Sequence, residues 1–114
     1  MCGLAGLVDG RDVSETDLRG RAVAMAETLM HRGPDSGGVA VDPACRVAMG
    51  HRRLAILDLS PEGHQPMRSA SARWTVAFNG EIYNHRALRA ELAGAGVAFR
   101  GHSDTEVLVE AIDR

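Results

Sequence analysis

Hydrophobic and polar positions recur along this chain at two different spacings, and the changes between them mark its elements. Residues 2–8 form an apolar run closed by Asp9, which reads as a short strand. Ser14, with Asp17 three residues later, marks a helix start, and Leu18, Ala22, Met25, Ala26 and Leu29 then fall on one helical face, expected to be buried. That helix should stop at His31-Arg32-Gly33-Pro34. Cationic side chains suit the negative end of the dipole, a glycine can take a left-handed φ, and proline blocks continuation. Residues 38–41 and 46–51 read as two strands joined by a turn at Asp42-Pro43, an antiparallel pair.

Residues 54–57 form another apolar run, followed by a turn-rich stretch over 60–66 that is expected to be an exposed loop of the kind that often carries binding residues. Trp74, Val76 and Phe78 alternate with Thr75, Ala77 and Asn79, the period of a half-buried strand ending at Asn79-Gly80. Asn84 is a candidate cap for a helix over 85–92, stopped by Gly94 and Gly96, with a short strand over 97–99. Ser103-Asp104-Thr105-Glu106 has the spacing of a capping box, and Val107, Leu108, Ala111 and Ile112 should form the buried stripe of the last helix. Hairpin-like strands between helices, with no internal repeat or linker, predict an α+β layered fold with antiparallel sheets. The end of the chain inside a helix suggests a truncated domain.

Composition narrows the function more than the fold. The chain has 114 residues, with 45% apolar and 25% charged, enough for one packed core and outside the range of disordered sequences. A net charge of −2 with a single Trp and a single Tyr offers neither a basic field nor a stacking series, so nucleic acid is not an expected partner. The apolar runs are too short for a secretory signal or a membrane span, so the cytoplasm is the expected location. The two cysteines, Cys2 and Cys45, form no disulfide framework and no paired-cysteine motif, which fits a reducing compartment. The five histidines have neither an i,i+4 pair nor cysteine partners at ligand spacing; no metal site is expected, and most are expected at the surface.

The chemistry begins at position two. Removal of Met1 would give Cys2 both a nucleophilic thiol and a free α-amine able to act as base. Taken alone, Cys2 is better read as a small apolar residue opening a strand. His31-Arg32-Gly33-Pro34-Asp35 is explained as a helix stop and tight turn and is assigned structure, not catalysis. Arg52 is expected as a solvated charge, and Cys45 in the core.

Five segments change the balance: Met1-Cys2-Gly3, His31-Arg32-Gly33-Pro34-Asp35, His51-Arg52-Arg53-Leu54-Ala55-Ile56-Leu57-Asp58, Phe78-Asn79-Gly80-Glu81-Ile82-Tyr83-Asn84 and Ser103-Asp104-Thr105-Glu106. In this order they resemble class II glutamine amidotransferases, and within these the glutaminase half of glutamine-hydrolysing asparagine synthetases; the resemblance covers almost the whole chain. It implies an N-terminal-nucleophile hydrolase built as an αββα sandwich of antiparallel sheets, of which residues 2–114 would be the N-terminal part. It implies Cys2 as nucleophile, an oxyanion hole at Asn79 and Gly80, and L-glutamine as ammonia donor. Arg53 would take the α-carboxylate and Asp104 the α-ammonium, with Leu54, Ala55, Ile56, Leu57 and Glu81 completing the pocket. No cofactor is implied for this segment; ATP and Mg2+ are implied for a synthetase domain of the same full-length chain that is absent here, and a homodimer is allowed for.

Each of these residues also has a plainer reading. Asn-Gly is a common type I′ hairpin turn, but a hairpin needs an alternating strand straight after it, and residues 81–85 lead into a helix-like segment. Arg53 could be a strand-end cation, and an acid such as Asp104 suits the first turn of any helix. Two functional alternatives stand beside the synthetase reading. One is another class II amidotransferase, or an asparagine-synthetase-like enzyme with a different acceptor; the other is a non-catalytic amino-acid-binding or scaffold fragment.

Overall fold

The computed structural model describes residues 1–56 and 59–114. Three strands, β1 (Gly3–Val8), β2 (Ser36–Asp42) and β3 (Val47–Arg53), form an antiparallel sheet in the order β1-β3-β2. The register pairs Gly3 with Arg52 and Gly38 with His51. Helix α1 (Glu15–Glu27) covers one face of this sheet. Its start is as expected, with Ser14 Oγ accepting from the Asp17 N–H at 3.1 Å. Leu18 and Ala22 bury against Ala48, with Leu7, Val13, Val39 and Val41 packed around them. A Cβ at Gly50 would lie 2.8 Å from both the Ala22 carbonyl oxygen and Ala26 Cβ, so the missing side chain lets the helix rest directly on the central strand.

Local expectations fail here where a neighbour decides. Met25 is exposed, because the buried face of α1 is the narrower stripe of Leu18, Ala22 and Ala26. The helix also stops earlier than expected, at Glu27, and a run of turns carries the chain on to Arg32. Gly33 does not take a left-handed φ. Its requirement is closeness: a Cβ there would stand 2.6 Å from the Arg53 backbone nitrogen. The turn joining β2 to β3 closes with Arg46 at φ +56, and Cys45, expected in the core, is exposed on it.

The opposite face of the sheet meets a second, thinner layer. Residues 60–66 are not an exposed loop throughout. A 3-10 turn at Pro61–Gly63 leads to buried Gln65, and β4 (Met67–Arg68) pairs antiparallel with β5 (Thr75–Val76). The alternation from Trp74 to Phe78 is laddered only at these two β5 residues. Residues 97–99 form no strand either. Arg89 of α2 (His85–Gly94) reaches over the Phe99 ring at 4.1 Å and donates to the Gly101 carbonyl, tying that stretch along the helix. Asn84 makes no side-chain cap, and α2 continues through Gly94 until Gly96, at φ +94, ends it.

Helix α3 (Asp104–Asp113) is capped as expected, Ser103 Oγ accepting from the Glu106 N–H at 3.2 Å. Its buried stripe differs from the expected one: Ala111 and Ile112 are exposed, whereas Glu106 and Glu110 join Val107 and Val109 inside. The acids are buried because distant backbone needs them. Glu110 Oε1 accepts from the Ala70 N–H at 2.8 Å, and Glu106 binds the N–H groups of Arg100 and Gly101. The architecture is thus α+β with antiparallel sheets, and among the described residues no helix is long and apolar enough to cross a membrane.

Candidate active site

At the open end of β3 the first residues of β1, the loop after β3, the segment after β5 and the start of α3 surround a cavity of about 340 Å³. Ligand pockets begin at about this size. Cys2, Arg53, Leu54, Ile56, Asn79, Gly80, Glu81 and Asp104, all expected at a site, line it. Ala55 does not: its N–H is turned away to Asp35 Oδ2 at 2.8 Å. Leu57 lies outside the described residues.

Cys2 is held from two sides. The Leu54 N–H donates to its Sγ at 3.3 Å and the thiol reaches the Leu54 carbonyl at 3.6 Å, while Arg32 Nε donates to its backbone oxygen at 3.2 Å. Met1 stands in front of it, largely exposed at the cavity mouth. His31-Arg32-Gly33-Pro34-Asp35 therefore acts at the site as a brace. Arg32 grips Cys2, Gly33 lies on the β3 backbone, and Asp35 donates its N–H to the Arg53 carbonyl at 3.0 Å while its carboxylate holds Ala55. Arg52, expected as a solvated charge, is part of the same brace, its Nε donating to the Gly33 carbonyl at 2.9 Å.

Arg53 points to the other face of β3 from Arg52, as strand alternation requires. Its guanidinium donates to the Ser60 carbonyl at 3.0 Å and lies so close to Gly63 that a Cβ there would displace it. The side chain is half-buried and lines the cavity. Asp104 is buried, and its Oδ2 accepts from the Ile82 N–H at 2.8 Å. That bond fixes the chain just beyond Asn79-Gly80-Glu81. No strand follows Gly80; the chain enters α2, so the pair is not a hairpin turn. Asn79 is exposed at the rim, and among the described residues its carboxamide makes no hydrogen bond.

Two residues without any expected role support the site, Gln65 in its wall and His51 behind it. Gln65 is buried, its Oε1 accepting from the Phe78 N–H at 2.6 Å and its Nε2 donating to Thr105 Oγ1 at 3.2 Å. His51, expected among surface histidines, is fully buried on β3, with Nε2 at 3.3 Å from the Phe78 carbonyl. Burial pushes its pKa down and the nearby positive charges of His64 and Arg53 push the same way, against the Phe78 carbonyl. The sequence marked only their neighbourhoods, His51 at the head of one of the five segments and Gln65 within the turn-rich stretch over 60–66, because a lone Gln in a loop and a His in a strand have no spacing that gives them a role.

Against known proteins, a model of the glutamine amidotransferase domain matches residues 1–114. Asparagine synthetase [glutamine-hydrolyzing] 1 of Bacillus subtilis (strain 168) is 40% identical over 110 residues, covering 96% of this chain and 17% of that protein. Asparagine synthetase B of Escherichia coli (strain K12) is 39% identical over 96% of this chain and 19% of that protein. A protein named amidase chry2, from Gibberella zeae, is 34% identical over 96% of this chain and 17% of its own length. The chain thus spans less than a fifth of the relatives it matches. With a match along its whole length and the same order of segments gathered at one cavity, the chain belongs to the glutamine amidotransferase domain family.

Proposed function

We propose that this chain is the glutamine-hydrolysing part of a larger enzyme, residues 2–114 being the N-terminal portion of a glutamine amidotransferase domain with the αββα N-terminal-nucleophile architecture. The observation that carries the reading is the gathering of Cys2, Arg53, Asn79, Gly80 and Asp104 around one cavity from four distant stretches of chain. Loss of Met1 would convert the Cys2 nitrogen from an amide into a free amine, a base beside its own sulfur. As Sγ attacks the side-chain carbonyl carbon of glutamine, the thiol proton passes to that amine. The C–N bond then breaks, the amine returns the proton to the leaving nitrogen, ammonia departs, and water hydrolyses the γ-glutamyl thioester to glutamate and free thiol. The Asn79 carboxamide and the Gly80 N–H are the donors for the oxyanion. Arg53 and Asp104, of opposite charge at one cavity, suit the carboxylate and ammonium of a free amino acid. Glu81, Ile56 and the backbone of Leu54 complete its surroundings.

The names of the Bacillus and Escherichia relatives support asparagine as the product and so aspartate as the acceptor of the ammonia; the ATP dependence of that amidation belongs to the same proposal. ATP and Mg2+ would serve that amidation, and no step of the glutamine hydrolysis proposed above uses them. The synthetase chemistry is therefore assigned to the part of the protein corresponding to the remainder of those relatives. A cytoplasmic location suits the enzyme, because Cys2 has to stay reduced.

The test is intact-mass analysis of the full-length protein before and after a glutamine-mimicking electrophile. Met1 should be absent and the label should sit on Cys2 alone, although Cys45 is the more exposed thiol. Retained Met1, or a label confined to Cys45, would favour the scaffold reading. Cys2→Ala should abolish glutamine-dependent synthesis and leave ammonia-dependent synthesis intact.

A further inference from the structure

Phe78 stands immediately before the Asn79-Gly80 pair, beyond the last laddered residue of β5. Its N–H and C=O are the two groups that a neighbouring strand would engage in an antiparallel ladder. Side chains engage them instead, Gln65 Oε1 taking the N–H at 2.6 Å and His51 Nε2 meeting the carbonyl at 3.3 Å. We propose that Gln65 and His51 are positioning residues that clamp the Phe78 peptide and thereby hold the Asn79 and Gly80 donors at the cavity; the inference rests on the glutaminase reading above.

The clamp links the parts of the site to one another. His51 lies two residues before Arg53 on β3, and Gln65 Nε2 donates to Thr105 Oγ1, next to Asp104 at the head of α3. The two peptide groups flanking the Phe78 Cα are thereby referred, one to the helix carrying the carboxylate and the other to the strand carrying the guanidinium. The Phe78 ring transmits the constraint forward, because a Cβ at Gly80 would stand 2.6 Å from its tip. His51 also carries a cost that packing alone would not require. The Phe78 carbonyl can only accept, so the ring hydrogen is on Nε2, and Nδ1 of this fully buried side chain has no partner among the described residues. An apolar side chain would fill the space without leaving a buried acceptor unmet. The histidine is accounted for by the bond it makes to Phe78.

The experiment uses the full-length protein with Gln65→Met and His51→Leu, which remove the bonds, and Gln65→Glu and His51→Gln, which restore the acceptor and the donor. A displacement of about 1 Å at reacting groups costs roughly a hundredfold in rate. Both bond-removing variants should therefore lose about that factor in kcat for glutamine hydrolysis, with KM moving far less, and the conservative variants should recover most of it. Alkylation of Cys2 by iodoacetamide, read by mass, passes through no oxyanion and should keep the parental rate. Unchanged kcat in folded Gln65→Met, or kcat and Cys2 alkylation falling together, would overturn the clamp. His51→Leu is the riskier substitution for folding; where it does not fold, Gln65→Met decides. If the parent itself hydrolyses no glutamine, the glutaminase reading fails separately. The clamp is then judged by the Gly80 amide cross-peak, which should shift or broaden in Gln65→Met and return in Gln65→Glu, and an unmoved peak would overturn it.

Discussion

Glu106→Gln is expected to destabilise the chain sharply although it only exchanges one carboxylate oxygen for an NH2 group. Glu106 is 1% exposed. Its Oε1 accepts from the Arg100 N–H at 2.7 Å and from Arg100 Nε at 3.1 Å, and its Oε2 accepts from the Gly101 N–H at 2.9 Å, with the Arg89 guanidinium 3.7 Å away. A carboxylate serves both backbone donors; a carboxamide has one oxygen and turns N–H toward the other. One buried N–H is left unmet, a cost of about 1–3 kcal/mol, and the charge-assisted share of the remaining bonds is lost as well. A loss of about 3 kcal/mol in unfolding free energy follows, which for a domain of this size lowers Tm by roughly 12 °C or more.

The pH dependence supplies a second check on the same residue. Burial pushes the Glu106 carboxyl up, but the N–H groups of Arg100 and Gly101 and the Arg100 guanidinium together hold it below its ordinary value of 4.5. A folded-state pKa below the unfolded one means that the stabilisation is complete above the unfolded value and is lost as pH falls through the folded one. Urea titrations of parent and variant should therefore show a constant gap near neutrality that narrows below about pH 4.5. A gap under about 1 kcal/mol at pH 7, or one that widens in acid, would refute the account of this buried acid.

Two further substitutions probe the site. Gly33→Ala drives a methyl group into the Arg52–Arg53 backbone, so the brace must shift; an overpacking cost of about 1–3 kcal/mol in unfolding free energy is expected, with a fall in kcat/KM for glutamine because the same turn grips Cys2. Arg53→Lys keeps the charge but loses the planar fork, and should raise KM for glutamine by roughly ten- to a hundredfold with kcat nearly unchanged. An unaltered KM there would show that the α-carboxylate binds elsewhere.

Much of the fold was legible in the sequence because its signals act over three or four residues. Ser14 and Ser103 cap the helices as their spacing predicts, and residues 38–51 form the antiparallel pair that their pattern predicts. The ordered motifs also pointed to the cavity, and Cys2, Arg53, Asn79, Gly80, Glu81 and Asp104 all line it. Where reading failed, the missing information lay in another segment. The strand expected over 74–78 keeps only Thr75 and Val76 in a ladder, because the Gln65 and His51 side chains take the Phe78 N–H and carbonyl. The apolar stripe expected on α3 gave way to Glu106 and Glu110, because unpaired N–H groups at Ala70, Arg100 and Gly101 arrive beside them.

By itself, then, the amino-acid sequence determined where elements begin, the antiparallel α+β class, the family and the side chains that carry the proposed chemistry, since these depend on neighbours along the chain or on residue types in order. Tertiary structure alone decided why Gly33 has to be glycine, that Arg52 braces while Arg53 faces the cavity, and that Gln65 and His51 hold the peptide before Asn79. The physical reason is that a buried polar group has to find a partner, and in a folded chain that partner comes from whichever distant segment packs against it.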